Sequence, residues 1–168
     1  YAIPEGTVVF PREPLVKVVA PIMEAQLVET AILTIINHQS LIATKASRVV
    51  CAAKGDGIME FGLRRAQGPD AGIYGARAAV IGGCAGTSNV LTGQMFNVPV
   101  LGTHAHSWIM SFPDEYTAFK TYAKMYPNSC TLLVDTYDVL KSGVPNAIRV
   151  FEEMREEGVK LTHYGIRI

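Results

Sequence analysis

Thr131-Leu132-Leu133-Val134 is an apolar run that stops abruptly at the carboxylate of Asp135. A short run of this kind reads as a strand buried on both faces. A helical pattern follows from about Asn146 to Glu157, Gly158 supplies a left-handed stop, and Val159 to Ile168 returns as a strand. Upstream, Val98-Pro99-Val100-Leu101 reads as a strand leading into His106, and Thr117 to Met125 as the next helix. Buried apolar strands alternating with helices predict an α/β fold with a parallel sheet or barrel. Ligands in such folds gather beyond the carboxyl ends of the strands. The residues after Leu101, after Val134 and near Arg167 all fall at such ends.

Nearer the start, Val8-Val9-Phe10 and Leu15-Val16-Lys17-Val18-Val19 flank a Pro-rich turn and read as a short hairpin. Pro21 suits the first turn of a helix that runs past Ile36. Ile22, Leu27, Val28, Ala31, Ile32 and Ile35 occupy almost every face of that helix, so it is expected to be deeply buried or to form a subunit contact. Asp70 is placed to cap a helix whose Ala71, Gly75, Ala78, Ala79 and Gly82 allow close packing.

The 168 residues are 49% hydrophobic and 18% charged, enough apolar material for a real core. Lys plus Arg and Asp plus Glu number 15 each, so no net field attracts nucleic acid or an anionic membrane. No run is long enough to span a bilayer as a helix. Cys51, Cys84 and Cys130 are odd in number and widely spaced, which suggests buried, reduced thiols of a cytoplasmic protein rather than a disulfide or zinc framework.

Two dense segments carry the chemistry. Phe61-Gly62-Leu63-Arg64-Arg65-Ala66-Gln67-Gly68-Pro69-Asp70 places a ring and two guanidinium groups beside a small-residue turn. A pocket for a flat, anionic, aromatic molecule needs a π-face for stacking and a planar cation for the charge. Gly102-Thr103-His104-Ala105-His106-Ser107-Trp108 holds two histidines that share a face on a strand and point apart on a helix. Neither Cys nor a third His lies near them, so no metal site is assigned. His106 is either a structural histidine or a nucleophile toward a phosphoryl group. Ser107 could donate to such a phosphate if a helix starts here. Asp135 and Asp138 follow an apolar strand, as carboxylates that meet a metal or ribose hydroxyls often do, although Asp138 could equally cap the next helix. The glycines from Gly82 to Gly93 lack the Gly-Lys-Ser/Thr of a phosphate loop and the spacing of a dinucleotide fingerprint.

These segments, with Tyr1 to Gly6, Glu24 to Thr30, Gly86 to Val90, Leu132 to Asp138 and Gly165 to Ile168, resemble the nicotinate phosphoribosyltransferase family over nearly the whole chain. The resemblance implies an irregular, TIM-like α/β barrel beside a smaller α/β domain, with 1–20 belonging to the smaller domain or its hairpin and 21–168 to part of the barrel. It implies a cytoplasmic enzyme of NAD salvage that joins nicotinic acid to phosphoribosyl pyrophosphate (PRPP), with Mg2+ and coupled ATP hydrolysis. Phe61 is then expected to stack on the pyridine ring, Arg64 to meet the substrate's charge, and Thr103 and Arg167 to line the nicotinate pocket. His106 matches the family's phosphohistidine, and of the two carboxylates after the strand Asp135 is the better candidate for a catalytic role. Nicotinamide-using relatives carry Asp where this chain has Ser88. A Ser hydroxyl can donate to the carboxylate of nicotinic acid, whereas an Asp would repel it. Ser88 could also simply cap the following helix.

The resemblance further implies a homodimer with shared active sites, and no nucleic-acid or membrane partner. Two rival readings are a nicotinamide-type phosphoribosyltransferase and a non-catalytic interaction or regulatory fragment of the same fold. The chain opens on Tyr1 and ends at Ile168, before the family's PRPP-gripping Asp-Ser-Gly-Asp stretch. It therefore reads as an internal piece, expected to be inactive and to self-associate when alone.

Overall fold

Apolar strands short enough to be crossed by helices dictate the architecture seen in the computed structural model, which describes residues 1–168. The chain divides into two compact units, Tyr1–Gly102 and Thr103–Ile168.

In the first unit, Tyr1–Ile3 lies antiparallel to Leu15–Lys17, with Ala2 opposite Val16 and hydrogen bonds Ile3 N–H to Leu15 O (3.0 Å) and Lys17 N–H to Tyr1 O (2.8 Å). The partner of Leu15–Val19 is thus not Val8–Phe10, as the pattern suggested. Phe10 is taken up by the turn instead, its N–H donating to Glu13 Oε2 at 2.9 Å. Helix α1 (Ile22–Ala52) has 31 residues, a length of about 46 Å. Of the two expectations for this helix, deep burial within the chain is not met: none of those residues is buried, and Leu27 is 81% exposed.

The chain then forms β1 (Met59–Glu60), a 3-10 turn at Leu63–Arg65, α2 (Pro69–Ile81), β2 (Gly86–Thr87) and α3 (Val90–Phe96). Asp70 does not cap α2: Gly68 holds the cap position at φ 109°, with Pro69 inside the helix start and Asp70 in the first turn. Small residues on α2 permit the close approach to α1 that the sequence foretold. A Cβ on Gly82, just past α2, would lie 2.5 Å from Ala43 O and 2.9 Å from Ala46 Cβ. Arg77 of α2 pairs with Glu5 at 2.5 and 2.7 Å, tying down the N-terminal segment.

The second unit runs α4 (His106–Met110), α5 (Glu115–Met125), β3 (Cys130–Leu133), α6 (Val144–Glu156) and β4 (Tyr164–Arg167). Asp114 caps α5 by accepting from Thr117 N–H at 2.7 Å, and Gly158 at φ 78° ends α6 in the left-handed conformation expected of it. The apolar stripes of α5 and α6 enclose β3 in a core of Ile109, Ala118, Phe119, Leu132, Val134, Val150 and Met154, all 0% exposed. Full burial of each large side chain contributes on the order of 2 kcal/mol. Cys84 and Cys130 are buried as expected, whereas Cys51, near the end of α1, is exposed. His104, half-buried, packs against this core. Its ring meets Tyr122 edge-on with centroids 4.6 Å apart, and its Nε2 accepts from Leu133 N–H at 3.3 Å. Burial holds its pKa below the ordinary 6.5, with Arg167 and His106 adding to the effect.

α6 begins two residues earlier than the pattern suggested and is preceded by a wide π-type turn, Val139–Gly143. Asp138 caps that turn, accepting from Leu140 N–H (3.0 Å) and Lys141 N–H (2.8 Å). The last strand is shorter than the run Val159–Ile168, because Val159 and Leu161 pack on the core instead of pairing.

Both strand pairs are parallel: Met59 opposes Gly86 and Glu60 opposes Thr87 in the first, and Cys130 through Leu133 oppose Tyr164 through Arg167 in the second. The class is α/β as expected; the four strands form two separate pairs and do not themselves close a barrel.

Two measurements check this packing. A Cβ on Gly143 would sit 2.0 Å from Val134 O, whereas one on Gly165 meets nothing within 4 Å. Gly143→Ala is expected to cost about 2 to 3 kcal/mol in urea denaturation, and Gly165→Ala nothing comparable; equal effects would contradict the close contact. For His104, the unfolded chain takes up a proton more readily than the folded one, so stability falls as pH drops below about 6.5. His104→Gln keeps an acceptor for Leu133 but cannot titrate. The variant's melting temperature should fall less than the wild type's between about pH 7.5 and pH 5; parallel curves would contradict the burial argument.

Candidate active site

Parallel register brings residues together at strand ends without further help. In the first unit Phe61 follows β1 and Ser88 follows β2, so the two emerge side by side. Ser88 N–H donates to Glu60 O at 3.1 Å, and both Phe61 and Ser88 are half-buried. The chain then tightens into the 3-10 turn, where Leu63 leans on α2 so closely that a Cβ on Gly72 would come within 2.6 Å of it. Arg64 and Arg65 are exposed on this turn, beside the aromatic residue, as a recognition cation requires. Ser88 is not the cap of α3. That role falls to Asn89, whose Oδ1 accepts from Thr92 N–H at 3.2 Å. Ser88 is thereby released from the structural role that competed with substrate recognition.

In the second unit the ends of β3 and β4 gather the remaining expected residues. Arg167, the last residue of β4, donates through Nη1 to Thr103 Oγ1. Asp135 follows β3 by two positions and lies 3.8 Å from His106 Nδ1, and Thr136 Oγ1 lies 3.2 Å from the same nitrogen. Asp135 Oδ1 is enclosed and accepts no hydrogen bond. The His106 side chain is 52% exposed, open enough to meet a substrate. With its proton on Nδ1 the ring can donate toward Thr136, which leaves Nε2 with a lone pair for nucleophilic or basic chemistry. Ser107 is the exposed second residue of α4.

The two histidines therefore part company. His104 points into an aromatic core and His106 toward the end of β3, as their placement around a helix start allows. No group of three or more His, Cys, Asp or Glu side chains is arranged to hold a metal ion. Asp138 spends its carboxylate on the turn that follows β3, which separates it in role from Asp135.

Two participants went unmarked in the sequence. Thr136 sits inside the quoted Leu132–Asp138 run, and a hydroxyl next to a strand-end carboxylate is the signal that could have found it. Glu60 links both strand ends of the first unit through Thr87 Oγ1 at 2.6 Å and Gly62 N–H. Its sequence signal is an acid closing the apolar Ile58-Met59 run, ahead of the aromatic residue.

The sequence model of the nicotinate phosphoribosyltransferase (NAPRTase) family matches residues 57–162. The chain is 52% identical to the nicotinate phosphoribosyltransferase of Bacillus subtilis, over 100% of its own length and 34% of the relative's. Against the nicotinate phosphoribosyltransferase of Dictyostelium discoideum it is 42% identical, covering 100% of this chain and 35% of that one. The crystal structure of human nicotinic acid phosphoribosyltransferase superposes with a TM-score of 0.88 at 34% identity, over 99% of this chain and 42% of the human one. The chain thus spans about a third of the length of the curated relatives it matches. Family match, identity and fold agree, and the chain belongs to the nicotinate phosphoribosyltransferase family.

Proposed function

We propose that this chain serves a nicotinate phosphoribosyltransferase reaction in NAD salvage. The pyridine nitrogen of nicotinic acid forms a bond to ribose C1 of PRPP while the bond from that carbon to pyrophosphate breaks, and nicotinate mononucleotide and pyrophosphate leave. The observation that carries the reading is His106, anchored through Nδ1 beside Thr136 and Asp135 at a strand end in a chain of this family.

The first unit supplies recognition of the pyridine. Phe61 offers a ring face, Arg64 a planar cation, and Ser88 a hydroxyl that favours the acid over the amide. In the second unit the Arg167–Thr103 pair offers a fixed guanidinium for an anionic group. His106 Nε2 attacks the terminal phosphoryl group of ATP; the N–P bond forms as the bond to ADP breaks, and water later hydrolyses the phosphoramidate. Ser107, the next residue, is a donor for that phosphate. Thr136 orients the imidazole, and Asp135, 3.8 Å from it, presents a carboxylate to the ribosyl centre, where positive charge develops as pyrophosphate departs.

Mg2+ supplies charge neutralisation for the departing pyrophosphate. Asp135, with an enclosed oxygen lacking a hydrogen bond, is the group of this chain that would hold the ion. The reading extends to a cytoplasmic homodimer with shared sites, in which 21–168 forms part of a TIM-like barrel and 1–20 part of the smaller domain. No helix of the chain is long and apolar enough to cross a membrane.

Both tests use the full-length form, meaning this chain with the rest of the family's length. Labelled ATP should place acid-labile phosphate on it, and His106→Ala should abolish the label while slow, ATP-independent turnover persists. Unchanged labelling in the variant would refute the phosphohistidine. Ser88→Asp should raise the KM for nicotinic acid by about thirtyfold, or about 2 kcal/mol, and leave PRPP nearly unaffected. Equal losses for both substrates would make Ser88 structural.

A further inference from the structure

Glu60 takes no part in the reaction proposed above, yet its carboxylate joins the two strand ends that carry Phe61 and Ser88. One oxygen accepts from Gly62 N–H and the other from the Thr87 hydroxyl at 2.6 Å. Thr87 is 0% exposed, and its oxygen accepts in turn from Asn89 N–H at 3.0 Å. Asn89 then accepts from Thr92 N–H at 3.2 Å as the cap of α3. A relay of four hydrogen bonds therefore starts on the backbone just after Phe61 and ends in α3. It passes through the residues on both sides of Ser88, whose own N–H is held by Glu60 O at 3.1 Å.

The donors and acceptors allow one arrangement only. A threonine hydroxyl has a single proton, which goes to Glu60, so its lone pair is free for Asn89. A carboxylate accepts on both oxygens, whereas a carboxamide in its place would aim an NH2 group at one of the two donors. The relay thus needs an acid at 60 and a hydroxyl at 87, and it runs from the half-buried Glu60 to the buried Thr87 and Asn89, where such bonds are strong.

We propose that Glu60 is a positioning residue that, through Gly62 and Thr87, sets the separation of the Phe61 ring from the Ser88 hydroxyl and so governs affinity for the pyridine carboxylate. This rests on the nicotinate reading of the same residues. A brace of merely structural value would lower stability and affect both substrates alike; one that sets a recognition distance acts on one substrate.

The test is steady-state kinetics on the full-length form. Glu60→Gln should raise the KM for nicotinic acid about tenfold and leave the KM for PRPP within about twofold. Thr87→Val, which keeps the side chain's shape, should give the same selective loss and serves should Glu60→Gln not fold. Thr87→Ser, which keeps the hydroxyl, should restore a KM near the wild type. The double variant Glu60→Gln/Thr87→Val should lose little more than either single one, because both break the same relay. A rise in both KM values together, a lowered melting temperature with unchanged KM values, or failure of Thr87→Ser to restore binding would each overturn the positioning role. A wild-type protein without turnover of nicotinic acid would overturn the functional reading as well, so the two failures are distinguishable.

Discussion

Two strands that pair in parallel must end at the same edge, and this constraint places Phe61, Ser88, Asp135 and Arg167. Antiparallel partners would have carried Ser88 away from Phe61 and Asp135 away from Arg167. Parallel register instead places Phe61 beside Ser88 and brings the residues after Leu133 level with the end of β4. The connections needed to bring a strand back in the same direction are the helices of the fold, so the helical content follows from the same constraint.

Close backbone approach is the second condition. The turn after β3 presses against the strand it follows, and Gly143 leaves no room for a side chain between itself and Val134 O. Asp138 closes the front of that turn and Glu115, which accepts from Ser142 Oγ, closes its back. Asp135 and Thr136 thus leave the core on a short segment anchored at both ends, the kind of support a precise contact with His106 requires. Widened turns of this type recur at functional positions because they shift a side chain without breaking the helix beyond.

Histidine placement illustrates how little separates scaffold from chemistry. His104 and His106 are two residues apart, yet one spends Nε2 on the backbone of β3 inside an aromatic cluster and the other keeps Nε2 unengaged. Depressed basicity from burial suits the first to packing, where a charge would be costly. Helix α1 shows the converse. Its apolar residues lie on every face; α2 covers part of them, but Leu27, Leu33, Ile35 and Leu41 stay exposed within this chain, so its composition expresses a demand for burial that the chain meets only in part.

Local chemistry was enough to determine much of this protein from sequence. The apolar run before Asp135, the small residues of α2, the Gly158 stop and the strand-end position of Arg167 all depend on near neighbours, and each stands where the pattern put it; the strand read over Val98–Leu101 shrinks to a single bridge between Val100 and Thr87, and His106 opens α4 instead. Tertiary structure decided what depends on distant partners. The pairing of Leu15–Lys17 with Tyr1–Ile3 in place of Val8–Phe10 is a tertiary choice that the alternation of local residues does not specify. The cap of α3 passed from Ser88 to Asn89, and Asp70 lost its cap to Gly68, because capping depends on dihedral angles that the order of residues does not specify. Thr136 and Glu60 acquired their roles only when register placed His106 and Thr87 within bonding distance. A hydrogen bond between residues some thirty positions apart has no sequence spacing of its own, since it exists only after the strands have paired.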